Sequence, residues 1–463
     1  MKYKWIKISI LALMVGFGLY IILALIPFMG RVGVSGATSH AYSIDSFYGQ
    51  QQTPERVMLL EDPRESFFHR VNLISQAQEQ IILATFAFNG STSGDIIIGG
   101  LLSAAERGVD VTVIHNAIGG AMPARYINIL AAHDNIDIYS FNRFHLLRPQ
   151  FANPALHDKY MIIDNTLMIM GGRNIGDRYF KPDGHTGRLT YDREVLVYNT
   201  DPQFNGSIAE VAAYARSKTS SPRTTMYNRT RRSNWDTQIN RYINLYLQHR
   251  VGFESFDYYN HSVGANRITL VTNPIESVKS DSVIAYNLMR LAQNSSTVVA
   301  QSPYVVFTNR NFKLFTDIIT GTDFTLSTNS IASTTNIPSF SSYLRRRRSL
   351  VEAGAVLYEF QSSQESLHSK TFLFDGRLTA IGSFNLNERS LRSDTESMLI
   401  IDSEEFHEIV LEAVNNQIAR SLRVNASGGY YLSRDVERAH ASFGKRFLYN
   451  AAGYLLRPFW LIF

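Results

Sequence analysis

The chain has 463 residues, of which 45% are hydrophobic and 18% are charged, so it is long enough for two folded lobes and too apolar to be globally disordered. Its net charge of +5 suits an anionic partner, and by charge alone a membrane surface and a nucleic acid fit equally well. It contains no cysteine, which excludes disulfides, thiolate nucleophiles and cysteine metal sites.

The first predicted element is an apolar helix near the N-terminus. Ile8–Met29 carries no charge and would reach roughly 33 Å as a helix, enough to cross a bilayer core. Three lysines precede it and only Arg31 follows closely, so the positive-inside rule predicts a single-pass cell-membrane protein with a cytosolic N-terminus and an extracytoplasmic catalytic portion. A cleaved signal peptide is the alternative, but the run exceeds the usual signal core. Residues 1–30 therefore form the predicted tip and anchor, and residues 31–55 a small, polar linker.

Residues 56–200 form the first predicted lobe, in which strands alternate with helices. Phe67, Val71, Ile74 and Ala77 recur at the helical period. The alternation predicts an α/β unit with a mixed or largely parallel sheet flanked by helices. Its second half contains the stretch LHDKYMIIDNTLMIMGGRN, which spans residues 156–174.

A basic, turn-rich stretch followed by a helix is predicted to connect this lobe to the next, over residues 201–265. Arg229, Arg231 and Arg232 lie in its first part. In one interpretation they contact lipid phosphates, and in the other they belong to a solvated loop.

Residues 266–435 form a second predicted α/β lobe that repeats the first. LHSKTFLFDGRLTAIGSFN, over residues 367–385, repeats the earlier stretch with a constant offset of 211 positions. Downstream, Asp-Arg-Glu at 192–194 and Asp-Thr-Glu at 394–396 are offset by 202, which predicts nine extra residues in the first copy. Four arginines, Arg345–Arg348, fall on a predicted helix and cannot share one face, so part of that run is expected to be solvated or interfacial.

The last predicted segment, residues 436–463, mixes aromatic and leucine side chains with arginines. It is too short to span a bilayer. It has the composition of a membrane-interfacial segment, but a tail docked on the protein's own core would look similar, and both interpretations stay open.

The repeated motif places the same reactive groups in both lobes. Side chains two apart on a strand face the same side, so each His and Lys pair can face one anion. A neutral imidazole can attack phosphorus while a second imidazole serves as acid and then base, and lysines can hold the phosphate oxygens. Asn and Ser at the hairpin ends are candidates for substrate binding. The sequence therefore predicts two half-sites that meet around one phosphodiester, with the candidate residues His157, Lys159, His368, Lys370, Asn174, Ser383 and Asn385.

Asp164 and Asp375 complete the repeated candidate catalytic set. Each is followed by a turn-forming residue, so we expect each Asp to organise a hairpin or pair with a base rather than attack. Neighbouring lysines would repel a cation, and the repeated core lacks the acidic ligands of a metal site, so neither a metal nor another cofactor is predicted.

These motifs resemble a known signature. HDKYMIID…GGRN and HSKTFLFD…GSFN are similar to the HxKxxxxD…G(S/G)xN pattern of the phospholipase D superfamily, and neighbouring stretches such as GGRNIGDRYF resemble bacterial cardiolipin synthases of the C type. The resemblance covers most of the chain after the anchor. It implies two phospholipase D-like lobes with one pseudo-twofold site, a phosphohistidine intermediate and no required metal. It also implies that Glu194 and Glu396 orient the histidines. The sequence does not decide which histidine attacks, and we assign the attack to His157.

The resemblance implies a membrane-anchored phosphatidyltransferase that makes cardiolipin from phosphatidylglycerol or another phospholipid donor. The alternatives are a hydrolase that releases phosphatidic acid and a nuclease, which the basic connector and the four arginines favour. A non-enzymatic scaffold would predict a degraded motif, and the repeated positions are intact. The expected partners are phospholipids and a membrane rather than nucleic acid. Head groups and oligomeric state stay open.

Overall fold

The computed structural model describes residues 2–26, 33–120, 122–143, 154–229, 234–250, 256–273 and 281–462. It has a mixed α/β architecture of two sheets flanked by helices, preceded by an apolar helix. That first helix, α1 (Lys2–Leu25), contains the span Tyr3–Leu25 with a mean hydropathy of 2.6, none of which is buried. It is long and apolar enough to cross a membrane. The predicted end of the anchor at Met29 lies outside the described residues. A short helix, α2 (Gly36–Ala41), follows.

The first lobe is built on a nine-stranded mixed sheet. Its elements are β1 (Glu55–Leu60), α3 (Pro63–Gln76), β2 (Gln80–Thr85), α4 (Thr92–Glu106), β3 (Asp110–Asn116), α5 (Ala124–Leu130), β4 (Ile136–Phe141), β5 (Tyr160–Ile163), β6 (Leu167–Gly171), α6 (Asp177–Phe180), β7 (Leu189–Tyr191), β8 (Glu194–Asn199), α7 (Ser207–Thr219), β9 (Thr224–Met226), α8 (Trp235–Arg250) and β10 (Val263–Gly264). The strand order is β10-β1-β8-β6-β5-β2-β3-β4-β9, and only β2, β3 and β4 pair in parallel within it.

The second lobe repeats this plan on an eight-stranded sheet. Its elements are β11 (Arg267–Thr272), α9 (Val283–Gln293), β12 (Thr297–Gln301), α10 (Asn309–Ile319), β13 (Asp323–Asn329), α11 (Ile337–Glu352), β14 (Val356–Phe360), β15 (Glu365–Leu367), β16 (Thr371–Phe374), β17 (Leu378–Gly382), α12 (Glu388–Arg392), β18 (Ser397–Asp402), α13 (Glu404–Ile418), β19 (Ser421–Arg423) and α14 (Phe443–Leu455). The strand order is β11-β18-β17-β16-β12-β13-β14-β19.

Local sequence explains where several helices begin. The side chain of Asp62 accepts hydrogen bonds from the main-chain amides of Arg64 and Glu65, and Pro63 occupies the first helical position of α3. The side chain of Asn336 accepts a hydrogen bond from the amide of Ser339 at the start of α11. These caps use amides that would otherwise have no partner, so the starts of α3 and α11 are encoded locally.

The predicted connector is part of the folded body. Trp235, Ile239 and Tyr246 of α8 are buried in the core of the first lobe. Ile208 and Val211 of α7 are buried in a second apolar core that also includes Phe406 and Val410 of α13 and faces of both sheets. Both helices carry apolar residues at the helical period, and burying those faces releases water from them. Arg231 and Arg232 lie outside the described residues.

Candidate active site

Each histidine of the repeat is fastened to the opposite lobe by its main chain. β7 of the first lobe pairs in parallel with β15 of the second, and the amide of His368 donates to the carbonyl of Tyr191 at 2.7 Å. In the other half the amide of His157 donates to the carbonyl of Thr395 at 3.2 Å. The two halves therefore cross over at the lobe interface, and each lobe helps to hold the histidine of the other.

Both histidines line one cavity of about 420 Å³ between the lobes. The structure thus brings together four of the predicted site residues on a common wall. Among the described residues, the lining consists of Phe86, Ala87, Asn89, His157, Asn174, Arg178, Tyr179, Tyr304, Thr335, Asn336, Ser339, His368, Asn385, Asn387, Arg389 and Asp394.

A carboxylate from the opposite lobe lies against each imidazole. The Nδ1 atom of His157 is 2.9 Å from Oε2 of Glu396, and the Nδ1 atom of His368 is 2.6 Å from Oδ2 of Asp192. All four side chains are buried. Nδ1 of His368 is also 2.8 Å from the Nζ atom of Lys370. When each Nδ1–H donates to its carboxylate, the Nε2 lone pair is left for the substrate.

The structure places Asp192, and not the predicted Glu194, against His368. Arg70 donates to the Glu194 carboxylate at 2.8 Å and Arg173 at 3.2 Å, so this glutamate belongs to a buried ion-pair cluster. Asp192 is visible in the sequence beside Glu194, but nothing in the local pattern distinguishes the two acids.

Strand register explains why Asp192, and not Glu194, lies against His368. Gly171 pairs with Glu194 across β6 and β8, whereas the equivalent Gly382 pairs with Met398 across β17 and β18. The structural equivalent of Glu396 is therefore Asp192, two residues before the acid that the aligned Asp-x-Glu triplets suggested. The first copy has seven extra residues between these strands rather than the predicted nine.

The residue beside each carboxylate differs between the halves. Ser383 and Ser390 both donate hydrogen bonds from their hydroxyls to Glu396. At the position equivalent to Ser383 the first lobe has Gly172, and a Cβ built there would overlap the Asp192 carboxylate. Because Gly172 has no side chain, the Asp192 carboxylate can occupy the space beside it.

Burial and the two lysines lower the pKa values of both histidines in the substrate-free site. Burial and Lys370 lower the pKa of His368 to about 3, and burial and Lys159 lower the pKa of His157 well below its ordinary value. Burial lowers the pKa of Lys159 to about 8 and that of Lys370 to about 7. At neutral pH both imidazoles are therefore neutral in the free site, which is the form that can attack phosphorus.

The two carboxylates differ in charge state. Burial raises the pKa of Glu396 to about 7. Burial acts on Asp192 in the same direction, but the positive charge of Lys370 and the contact with His368 hold the pKa of Asp192 below its ordinary value. Lys370 and His368 thus favour the charged form of the acid behind His368, whereas burial favours the protonated form of the acid behind His157.

The lysines and the asparagines occupy different layers of the site. Lys159 and Lys370 lie behind the cavity wall and donate to the main-chain carbonyls of His157 and His368, respectively. The amide of Asn174 donates to the hydroxyl of Tyr179 at 3.0 Å. Oδ1 of Asn385 is buried with no hydrogen-bond partner among the described residues.

Sequence reasoning missed the aromatic lining. The ring of Phe86 lies 5.0 Å from that of His157, and the rings of Tyr179 and Tyr304 each lie 5.7 Å from that of His368. Their edge-on packing restricts the imidazoles to one orientation. Tyr179 lies five residues after the first motif, but no sequence signal points to Phe86 or Tyr304.

Asp164 and Asp375 are not on the cavity wall. Asp164 accepts hydrogen bonds from the amides of residues 78–80, and Asp375 accepts from those of Ser296 and Thr297, each at 2.8 or 2.9 Å. Both have left-handed backbone conformations, with φ of 49° and 48°, at the tips of hairpins. Both acids tie a hairpin tip to the chain at the start of a neighbouring strand, β2 or β12, and among the described residues neither is hydrogen-bonded to a histidine of the site.

The sequence predicts that the site holds no metal ion. Among the described residues, no group of three or more His, Asp and Glu side chains is arranged to hold a metal ion.

Comparisons with known proteins agree with this architecture. The family model described as cardiolipin synthase, PLD-like domain, matches residues 71–212 and 316–418. Cardiolipin synthase C of Escherichia coli is 27% identical over 399 residues, which cover 76% of this chain and 82% of that protein. An uncharacterized protein of Helicobacter pylori is 29% identical over 393 residues, covering 75% and 76% of the two chains.

Among solved structures, phosphatidylserine synthase of Haemophilus influenzae superposes with a TM-score of 0.63 at 14% identity, covering 87% of this chain and 94% of that one. This likeness shows a shared fold. The two family-model matches together span more than half of the chain and contain both His-x-Lys motifs. The chain therefore belongs to the phospholipase D-like family of cardiolipin synthases.

Proposed function

We propose that the protein is a membrane-anchored phosphatidyltransferase that moves a phosphatidyl group from one phospholipid to the hydroxyl of another through a phosphohistidine. The observation that carries the proposal is one cavity lined by two histidines, each paired with a carboxylate of the opposite lobe. The names of the relatives support a phospholipid substrate. With phosphatidylglycerol as donor and acceptor, the products are cardiolipin and glycerol.

The reaction needs two displacements at one phosphorus atom. In the first, Nε2 of His157 forms a bond to phosphorus, the bond from phosphorus to the leaving glycerol oxygen breaks, and His368 gives that oxygen a proton. In the second, the acceptor hydroxyl gives its proton to His368, its oxygen bonds to phosphorus, and His157 leaves unchanged. One phosphodiester replaces another, so neither a nucleotide nor a metal is required.

The unequal carboxylates support this division of roles. The charged Asp192, 2.6 Å from His368, stabilises an imidazolium better than the partly protonated Glu396 does at His157. His368 is the better proton carrier for that reason. A bound phosphodiester offsets the positive charge of the two lysines, which raises the pKa of His368 and lets it enter the reaction protonated.

The remaining residues of the repeat act on the phosphate in this proposal. Lys159 and Lys370 turn their ammonium groups from the main-chain carbonyls towards the phosphate oxygens, where they stabilise the charge of the transition state. Asn174 and Asn385 contact the same oxygens from the wall of the cavity. Ser383 acts indirectly, by its hydrogen bond to Glu396.

The membrane arrangement is part of the same proposal. Residues 1–30 serve as a single-pass anchor with a cytosolic N-terminus, residues 31–55 as the linker, and the two lobes, residues 56–200 and 266–435, lie outside the cytoplasm. The exposed apolar surface of α1 supports the anchor. Protease digestion of intact cells tests the topology, since lobes outside the cytoplasm are cleaved without lysis.

The decisive experiment supplies the purified full-length chain with phosphatidylglycerol alone, in mixed micelles, and identifies every product. Cardiolipin with an equal amount of glycerol is the expected result. Phosphatidic acid with glycerol would show that water resolves the intermediate and that the protein is a hydrolase. Cleavage of added DNA with unchanged lipid would identify a nuclease. The matched control is a variant with both catalytic histidines replaced by alanine.

A further inference from the structure

The C-terminal helix α14 has one buried face and one exposed face. Tyr449, Ala452 and Gly453 are buried against α11 of the second lobe, and the rings of Tyr449 and Phe340 meet at 5.8 Å. The opposite face is apolar and exposed: at least half of the surface of Phe443, Phe447, Leu448, Tyr454 and Leu455 is open to solvent. Phe443, Phe447 and Tyr454 are four and seven residues apart in turn, so they align along one stripe of the helix.

Helix α14 is also joined directly to the rim of the active-site cavity. The ammonium group of Lys445 donates to the carbonyls of Ala332 and Thr334, at 2.9 Å in both cases. The next residues in the chain, Thr335 and Asn336, line the cavity. Lys445 therefore fixes α14 to the segment that continues into the cavity wall.

Three basic side chains, those of Arg178, Arg188 and Lys445, lie between α14 and the cavity. Arg188 donates to the carbonyl of Ser333, and Lys445 donates to the carbonyls on either side of it, so both cations lie on one turn of the chain. Burial and Arg178 lower the pKa of Arg188. Arg178 itself lines the cavity. Arg188 donates to main-chain carbonyls of Ser333 and Glu365, which leaves its charge unneutralised by these contacts. A strip of like charges of this kind is stabilised by an anion from outside the chain.

We propose that the outer face of α14 lies in the interface of an anionic phospholipid bilayer and, together with the strip Arg178, Arg188 and Lys445, seats the mouth of the cavity on the membrane. The occupant is a bilayer because the stripe combines aromatic and leucine side chains with the exposed Arg446 beside it, the composition of an interfacial helix. The chain that follows the apolar α1 is fastened to the same lobe, where the amide and hydroxyl of Ser35 donate to Asp281 at 2.8 Å. In this proposal, α14 docks on the protein's own core through one face and contacts the membrane through the other.

The chain contains no cysteine, so one introduced cysteine can carry a polarity-sensitive fluorophore in the full-length protein. Phe447→Cys labels the outer face of α14, and Leu247→Cys, a partly exposed residue of α8 in the first lobe, is the matched control. The labelled proteins are reconstituted in vesicles of phosphatidylglycerol and phosphatidylcholine that contain nitroxide-labelled lipid.

A label at 447 is expected to emit at shorter wavelength and to be quenched severalfold more strongly by the nitroxide lipid than a label at 247. Equal quenching at both positions, or quenching at 447 by aqueous iodide instead, would overturn the proposal. A blue shift that follows protein concentration and ignores nitroxide lipid would assign the face to a second copy of the chain and overturn it too. The labels report without turnover, so this result is independent of the proposed reaction.

A second measurement separates docking from folding. Phe447→Asp combined with Leu455→Asp is expected to lower turnover of phosphatidylglycerol in vesicles tenfold or more, while turnover of a short-chain, monomeric phosphatidylglycerol stays within twofold of the unmodified protein. Leu247→Asp should leave both unchanged. Equal losses on the two substrates, with an unchanged melting temperature, would count against a docking role.

Discussion

The two halves of the active site share a backbone frame but differ in charge. In one half, Glu396 receives hydrogen bonds from two serine hydroxyls and has a pKa raised to about 7 by burial. In the other, Asp192 lies beside a glycine and the charge of Lys370 keeps it ionised. Changes in the residues around each acid of a duplicated motif can therefore give the two histidines different electrostatic surroundings, which is the difference that the proposed division of roles requires.

Replacing the histidines tests this division most severely. His157→Ala and His368→Ala should each lower kcat by at least about 10³-fold, because one removes the nucleophile and the other the proton carrier. A phosphodiester with a p-nitrophenolate leaving group needs no acid. His368→Ala should therefore still release one equivalent of nitrophenolate in a rapid burst, whereas His157→Ala should release none. The opposite pattern would exchange the two roles.

The acids of the first lobe provide the next test. Asp192→Asn should lower the kcat of the folded protein about 10²-fold, since it removes the negative charge behind His368. Glu194→Gln should instead lower stability by about 3–5 kcal/mol through loss of a buried ion-pair partner of Arg70 and Arg173. Steady-state kinetics and thermal unfolding of both variants distinguish the two effects. A selective loss of kcat in Glu194→Gln would restore that residue to the site.

Exchanging the small residues beside the acids should have a smaller effect. Gly172→Ser introduces a Cβ into the space of the Asp192 carboxylate, and kcat is expected to fall about tenfold or more as the acid moves from His368. Ser383→Gly removes one donor to Glu396 and should cost less than about tenfold. Kinetics at fixed pH for the two variants measure how independent the halves are. Equal losses of kcat in the two variants would show that Asp192 does not depend on the absence of a side chain at position 172.

The lowered pKa values of the two lysines predict how the free energy of unfolding depends on pH. Between its folded pKa of about 7 and its ordinary value of 10.5, Lys370 is protonated more in the unfolded chain, so the free energy of unfolding rises with pH across that window. The slope from one such group is at most about 1.4 kcal/mol per pH unit. Lys159, with a pKa lowered by burial to about 8, acts in the same direction. Denaturant unfolding should show that Lys370→Met and Lys159→Met each lose part of this slope between about pH 8 and 10.

The smallest effect on catalysis is expected at the hairpin acids. Asp164→Asn and Asp375→Asn weaken hydrogen bonds to main-chain amides and should lower stability by about 1–3 kcal/mol each. The kcat of the folded protein should not change, because neither carboxylate lies on the cavity wall. Denaturant titration and kinetics on the same samples provide the check, and a selective fall in kcat would contradict the assignment.

Sequence alone determined the α/β class, the two lobes, the apolar N-terminal helix and the pairing of His157 and His368. These features follow from the periodic spacing of hydrophobic residues and from a motif repeated at constant spacing, which can both be read from the sequence. The hairpin role of Asp164 and Asp375 was also accessible, because turn-forming residues follow both acids.

Only the tertiary structure decided which acid supports which histidine. The aligned triplets of the repeat pointed to Glu194, but the register between strands, set by the loop of seven extra residues and by packing between sheets, brought Asp192 to His368 instead. A shift of one residue along a strand reverses the face on which a side chain projects, and a shift of two moves it past its target. Register between distant strands depends on contacts across the fold, and the partners Asp192, Phe86 and Tyr304 could therefore be recognised only in three dimensions.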